Sequence, residues 1–196
     1  MIGGIVLAAG ASSRMGRPKA TLTVGPSGRT FVGAIVETLV AAEVTAVRVV
    51  VSPELDGLTP DGVANPDPSA GMLSSVQCGL RAFRQPIDAV FVWPVDHPLV
   101  TRLTVAAMIG AFRDGNPPVV VPTFEGRRGH PVLFSARLIP ELLAADPSRG
   151  AREVVHAHGD RVELPVDDRG VIEDIDTPDD YARLFGVTLP ASPDVS

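Results

Sequence analysis

Three short segments of nearly unbroken apolar character, residues 5–8, 47–51 and 89–93, constrain this chain more than any other feature. Each is too short for a globular helix and rich in Val, Ile or aromatic side chains, the pattern of a strand buried on both faces. Between the first two, Val32, Ile35, Val36, Leu39 and Val40 recur at i, i+3, i+4, i+7 and i+8, the spacing of one helix face. Val76, Leu80 and Phe83 mark a second helix beginning near residues 72–75. Residues 103–112, 138–145 and 149–157 read as further helices, and 119–121 and 131–134 as strands around the turn Gly126-Arg127-Arg128-Gly129. Pro94 limits how far the third apolar strand can pair. A last helix starts after Thr177-Pro178, while residues 52–70, dominated by Pro and Asp, are expected to hold little regular structure. Strands alternating with helices predict α/β architecture: a Rossmann-like, doubly wound, mainly parallel sheet in a single domain. That domain is expected over residues 1–187, with 188–196 as a loose C-terminal tail.

Composition narrows the function classes. With 45% hydrophobic and 20% charged residues, the chain is suited to a packed globule rather than a disordered one. A net charge of −6 argues against nucleic acid as a partner, since backbone binding needs a broad basic surface. A small anionic ligand needs only a local pocket of donors, so it stays open. Cys78 is the only cysteine, so neither an intrachain disulfide nor a cysteine zinc site can form. The apolar N-terminus lacks a basic leader region and is too short to span a bilayer. The expectation is a cytoplasmic protein with no membrane partner.

In doubly wound sheets, ligands bind beyond the carboxyl ends of the strands. That rule singles out the segments after residues 8 and 93. The first reads Leu7-Ala8-Ala9-Gly10-Ala11-Ser12-Ser13-Arg14-Met15-Gly16-Arg17-Pro18-Lys19. Its glycines and small residues let backbone N–H groups approach an anion, and Arg14 and Lys19 add positive charge. Together they suit a polyphosphate. It is no Walker A loop, because five residues separate Gly10 from Gly16 and Arg17 follows, and it lacks the G-x-G-x-x-G of dinucleotide folds. In the second segment, Asp96 precedes His97-Pro98 where a carboxylate can hold Mg²⁺ against phosphate oxygens.

The first segment resembles the signature L-A-[AG]-G-x-x-x-R-M-G-x-x-K of the molybdenum-cofactor cytidylyl- and guanylyltransferases and, more loosely, of sugar-phosphate nucleotidyltransferases. Asn65-Pro66-Asp67 with Gly71-Met72-Leu73-Ser74-Ser75 is similar to the N-P-x-x-x-x-G-M-x-S-S segment of the cytidylyl branch. Asp96-His97-Pro98 resembles its D-x-P loop, Gly129-His130-Pro131 its G-H-P segment, and Asp174-Ile175-Asp176-Thr177-Pro178 its D-I-D-T-P segment. These stand in family order over residues 4–185. Leu73 replaces a family glycine, a change that bears on pocket shape.

The resemblance implies an enzyme that transfers a nucleotidyl group to a phosphorylated acceptor. It places the backbone of Leu7, Ala8, Ala9 and Gly10 against base and ribose, and Asn65, Gly71 and Ser75 in the base pocket. Arg14 and Lys19 grip the phosphates and act in catalysis with Asp96. Mg²⁺ falls to Asp96 and Asp176, with Asp174 the rival for the second position and a helix-capping role open to either of the pair 174 and 176. His130 either contacts the acceptor or holds a strand start. CTP is favoured over GTP, because guanylyl members carry Gly where this chain has Ala9. The acceptor implied is molybdopterin, with a molybdoenzyme or its chaperone as a further partner. Guanylyl transfer to the same cofactor, transfer to a sugar phosphate, and a non-catalytic nucleotide-binding maturation factor are the alternatives. A nicotinamide-dependent oxidoreductase ranks behind them, for want of a dinucleotide fingerprint. Arg127 and Arg128 read as solvated turn cations, His156 and His158 as structural or exposed, and Cys78 as a small core residue.

Overall fold

The computed structural model describes residues 1–60 and 62–189. Eight strands form one sheet: β1 (Ile2–Ala8), β2 (Ala46–Val51), β3 (Gly62–Ala64), β4 (Ala89–Pro94), β5 (Val119–Phe124), β6 (Arg127–Arg128), β7 (Val132–Ser135) and β8 (Val162–Pro165). The order is β3-β2-β1-β4-β7-β5-β6, with β8 also on β5. β3, β2, β1 and β4 run parallel, as do β5 and β8. β7 lies antiparallel between β4 and β5; β5–β6 is a hairpin that turns at Glu125-Gly126, so Arg127 and Arg128, expected within the turn, form β6 instead. The expected single-domain α/β fold with a mostly parallel sheet is therefore found.

The helices are α1 (Phe31–Ala41), α2 (Met72–Arg81), α3 (Arg102–Gly115), α4 (Ile139–Ala144), α5 (Ala151–Ala157) and α6 (Pro178–Phe185). Alternation along β1 splits the core in two. Val6 and Ala8 face a cluster with Phe31, Ile35 and Leu39 of α1, Met108 of α3 and Tyr181 of α6. Ile5, Leu7 and Ala9 face the other, with Leu73, Val76 and Leu80 of α2 and Leu142 of α4. Gly79 lets α2 sit close on β1, since a Cβ there would lie 2.7 Å from Ile5 Cγ2.

Two further expectations about elements need correcting. The segment 52–70 contains β3, which extends the sheet edge by pairing Val49–Val51 with residues 62–64. β8 falls in a stretch given no strand above. Its half-buried alternation, Val162 and Leu164 inward with Glu163 and Pro165 outward, is too short a period-2 signal to stand out. Of the C-terminal tail, residues 190–196 lie outside the described residues.

Candidate active site

β1 is the switch point of the sheet, with β2 on one side and β4 on the other, so the chain parts beyond its carboxyl end. A cleft of about 330 Å³ opens there. Its floor is Leu7, Ala9 and Gly10 from the end of β1, and Pro94, Val95 and Asp96 from the end of β4. The two strand ends are tied by the Val95 N–H donating to Leu7 O at 3.0 Å.

The loop after β1 curls around its own Ser12. This residue sits in the left-handed region (φ 48°) and its hydroxyl accepts from the Lys19 N–H at 3.1 Å and donates to Gly10 O at 3.3 Å. Met15, 5% exposed, pins the loop into the core. Ala11, Ser12, Ser13 and Arg14 are thereby turned along one wall of the cleft.

The opposite wall comes from far along the chain. After β8, residues 166–177 cross the sheet end as a strap. The Val166 N–H donates to Thr123 O, the His130 N–H to Val171 O at 2.8 Å, and the Ile175 N–H to Asp96 O at 3.0 Å. A Cβ at Gly129 would stand 2.2 Å from Val171 O, so only glycine lets strap and β7 approach this closely. Asp168, 8% exposed, anchors the strap to the start of α3: its carboxylate accepts from Thr101 N–H, Thr101 Oγ1, Thr104 Oγ1 and Gly170 N–H. The last bond of the strap delivers Asp176 beside Asp96.

Four charges meet in the cleft. Lys19 Nζ donates to Asp96 Oδ2 at 3.2 Å and to Asp176 Oδ1 at 2.5 Å, and Arg14 Nη2 donates to Asp176 Oδ2 at 2.7 Å. The Lys19 ammonium, aided by Arg14, holds the Asp176 carboxyl below the usual carboxylate range against the opposing pull of burial. Asp96 Oδ1 is buried with no hydrogen-bond partner. Behind it lies His97, with Nε2 3.8 Å away and its ring 4.9 Å from that of His130. Burial, with His97 alongside, lowers the His130 pKa to about 4.

Of the residues singled out in the sequence, Leu7, Ala9, Gly10, Arg14, Lys19, Ser75, Asp96 and Asp176 come together along one cleft. Ala8 does not, for its side chain enters the opposite core cluster. Asn65, 1% exposed, stands one layer back, its Nδ2 donating to Ser74 Oγ at 2.8 Å and Ser75 Oγ at 2.9 Å. Gly71 caps α2 at φ 111° against Pro147. Leu73 is fully buried in the core, so its replacement of the family glycine leaves the cleft lining untouched. Asp174 is exposed, and the cap of α6 is a box of Thr177 with Asp180, so neither 174 nor 176 caps that helix. His130 lies behind Asp96 rather than in the cleft lining.

Sequence reasoning missed Pro68 and Met72 at the rim, and Asp168 at the strap anchor. Met72 was legible as part of the G-M motif; Asp168 had no signal beyond a loop acid. Outside the site, Arg128 pairs with Glu163, His156 accepts from Arg152, and His158 meets Glu141 at 2.9 Å.

Among the described residues no group of three or more His, Cys, Asp or Glu side chains is arranged to hold a metal ion. The pair of Asp96 and Asp176 is nevertheless a fit for a hard divalent cation whose other ligands are phosphate and water. Its oxygens are convergent, and Asp96 Oδ1 awaits a partner. No helix among the described residues is long and apolar enough to cross a membrane.

Fold and site together define an α/β protein with a glycine- and cation-bearing loop facing a carboxylate pair at the switch point of its sheet. The chain belongs to the family of MobA-like NTP transferase domains, whose model matches residues 4–162, and so stands among the nucleotidyltransferases. It is 28% identical to the molybdenum cofactor cytidylyltransferase of Escherichia coli K12 over 61% of its own length. The match spans 59% of that relative. It is 30% identical to the molybdenum cofactor guanylyltransferase of Rhizobium meliloti, covering 83% of this chain and 78% of that one. It is also 30% identical to the nicotine blue oxidoreductase of Paenarthrobacter nicotinovorans, over 93% and 95% of the two chains. Among solved structures it is similar to Rv0371c of Mycobacterium tuberculosis, with a TM-score of 0.79 at 24% identity over 95% and 97% of the chains. A complex of Rv0371c with manganese aligns at a TM-score of 0.75 and 25% identity, over 95% and 99%.

Proposed function

We propose that this protein transfers the nucleotidyl group of a nucleoside triphosphate, CTP in preference to GTP, to the phosphate of molybdopterin, with release of pyrophosphate. The observation that carries the reading is the cleft itself: Arg14 and Lys19 converge with Asp96 and Asp176 beyond the end of β1. Two cations and two hard oxygen donors are what a metal-bound triphosphate requires, and the family match lends the same support.

The chemistry needs no side-chain nucleophile. A phosphate monoester has a second pKa of about 6, so the acceptor is largely dianionic at neutral pH. One of its oxygens attacks the α-phosphorus in line; the bond from that phosphorus to the β-phosphate oxygen breaks, and pyrophosphate carries away the electron pair. The enzyme's part is to position the reactants and offset charge. Arg14 and Lys19 bind the phosphate oxygens, and Lys19 offsets the charge that grows on the leaving pyrophosphate. Asp96 and Asp176 would hold Mg²⁺, which when bound would supply neutralisation of triphosphate charge. Leu7, Ala9 and Gly10 contact base and ribose, and Asn65 fixes the hydroxyl of Ser75, which faces the nucleotide. His130 keeps the β7 start against the strap, its buried and largely neutral imidazole giving it no charge to offer an acceptor.

The preference for CTP rests on Ala9, whose methyl borders the cleft and narrows it beside the base. A pyrimidine tolerates that narrowing better than a purine. The cytidylated cofactor would pass to a molybdoenzyme or its chaperone, a cytoplasmic step. The test is pyrophosphate release from CTP, GTP, ATP and UTP, each with molybdopterin and with a panel of sugar phosphates. Release with CTP and molybdopterin above all other pairs is expected. Release only with a sugar phosphate would overturn the acceptor.

A second reading, an oxidoreductase, is favoured by one finding, the similarity over 93% of this chain to the nicotine blue oxidoreductase. Oxidation of NADH or NADPH by an electron-accepting dye in the presence of the protein, without any nucleotidyl transfer, would select it.

A further inference from the structure

Lys19 stands where a metal between Asp96 and Asp176 would be expected to stand. Its ammonium touches both carboxylates, and its side chain is only 11% exposed, against 69% for Arg14 at the mouth of the cleft. We propose that Lys19 is a tethered counter-ion that closes the divalent-metal site of the nucleotide-free enzyme, so that metal and triphosphate enter together. This rests on the reading of Asp96 and Asp176 as the metal ligands.

The charges dictate the coupling. Two carboxylates facing Lys19 and Arg14 form a balanced set, and the inner member of each contact is partly shielded from water. A divalent cation arriving alone would meet an ammonium already paired with both carboxylates, in a site only partly open to screening by solvent. A triphosphate arriving alone would find its cations already engaged. Arriving together, they exchange partners: the ammonium moves to phosphate oxygens and releases both carboxylates to the metal. The backbone supports such a swing. The Lys19 N–H is fixed by Ser12 Oγ at 3.1 Å, so the root of the side chain stays in place while its four-carbon stem changes rotamer. Because linkage is reciprocal, metal must tighten nucleotide binding by the same factor by which nucleotide tightens metal.

Removing Lys19 should therefore harm turnover yet improve metal binding by the free enzyme. The experiment is titration of the nucleotide-free protein with Mn²⁺ alone, following free Mn²⁺ by electron paramagnetic resonance. Lys19→Met, which keeps the aliphatic stem, should bind Mn²⁺ about tenfold or more tightly than the wild type, within the usual range of such couplings. Lys19→Arg should remain as weak as the wild type. Lys19→Gln serves as a second neutral variant should the methionine form fold poorly. Adding CTP without acceptor should tighten Mn²⁺ binding in the wild type by a larger factor than in Lys19→Met. Equal Mn²⁺ affinity in wild type and both neutral variants, or tight binding by Lys19→Arg, would overturn the proposal. The nucleotide-free comparison stands whatever the reaction proves to be. Failure of nucleotidyl transfer with tighter Mn²⁺ binding would refute the function and leave the counter-ion intact.

Discussion

Asp168 offers the sharpest test of how the fold builds the cleft. Its Oδ2 accepts from Thr101 N–H at 2.8 Å, Thr101 Oγ1 at 2.9 Å and Thr104 Oγ1 at 2.6 Å, and its Oδ1 from Gly170 N–H at 3.0 Å. Asp168→Ala strands all four donors. The exposed Thr101 regains water for its hydroxyl and part of its N–H, and the Thr104 hydroxyl can fall back on a carbonyl of its own helix. The Gly170 N–H is buried and bears the full cost of an unmet donor, about 1–3 kcal/mol. Adding a fraction for Thr101 N–H and the lost favourable charge at the α3 N-terminus gives a destabilisation of about 3 kcal/mol. Asp168→Asn keeps one acceptor oxygen but sets an NH₂ against a donor, so it should cost about 1–2 kcal/mol. Urea unfolding followed by Trp93, the only tryptophan and fully buried, reads these values directly. Turnover should fall beyond the loss of folded protein, because the same strap carries Asp176. A cost under about 0.5 kcal/mol for Asp168→Ala would refute Asp168 as the strap's anchor.

At the centre of the site, Asp96→Asn should nearly abolish turnover at saturating Mg²⁺ while leaving the thermal midpoint close to wild type; near-normal rates would remove it from the metal site. Lys19→Ala should lower kcat by about 10²-fold, the usual scale for one lost electrostatic contact, and a change confined to KM would limit it to ground-state binding. Ala9→Gly should relax a CTP preference of roughly 10² to 10⁴ toward GTP, and an unchanged ratio would exonerate that methyl. His130 titrates near 4 when folded, against 6.5 for the free side chain, because burial disfavours its charged form. Its contribution to stability is therefore whole above about pH 6.5 and is lost as pH falls toward 4, by at most roughly 3–4 kcal/mol. Denaturation midpoints across that range should flatten in His130→Asn; an identical slope would show that other groups set it.

Much of this was written plainly in the sequence. The three apolar runs became β1, β2 and β4, and Val32, Ile35 and Leu39 became the inner face of α1, because burial on a fixed period leaves a mark in composition; Val36 is only half-buried and Val40 is exposed. The loop glycines, Arg14, Lys19 and Asp96 were legible for a related reason: backbone approach and charge at a strand end demand particular residue types. What stayed hidden depends on long-range closure. β3 owes its pairing to the free edge of β2, and β8 to that of β5. Asp168 and Thr104 meet across 64 positions of sequence, and nothing local announces the bond. That the Ala8 side chain turns away from the cleft while those of Leu7 and Ala9 border it follows from strand geometry, since neighbours on β1 face opposite layers. Nor does the sequence tell where an ammonium rests; that Lys19 lies on the carboxylates is a property of the folded cleft.

The central claim is nucleotidyl transfer, and it is tested most directly by incubating the protein with Mg²⁺, molybdopterin and CTP labelled at the α-phosphorus. The label should appear in the pterin product with one pyrophosphate released for each transfer, and GTP should serve far less well. Retention of all label in the nucleotide, with every base and with sugar phosphates as well, would contradict the account.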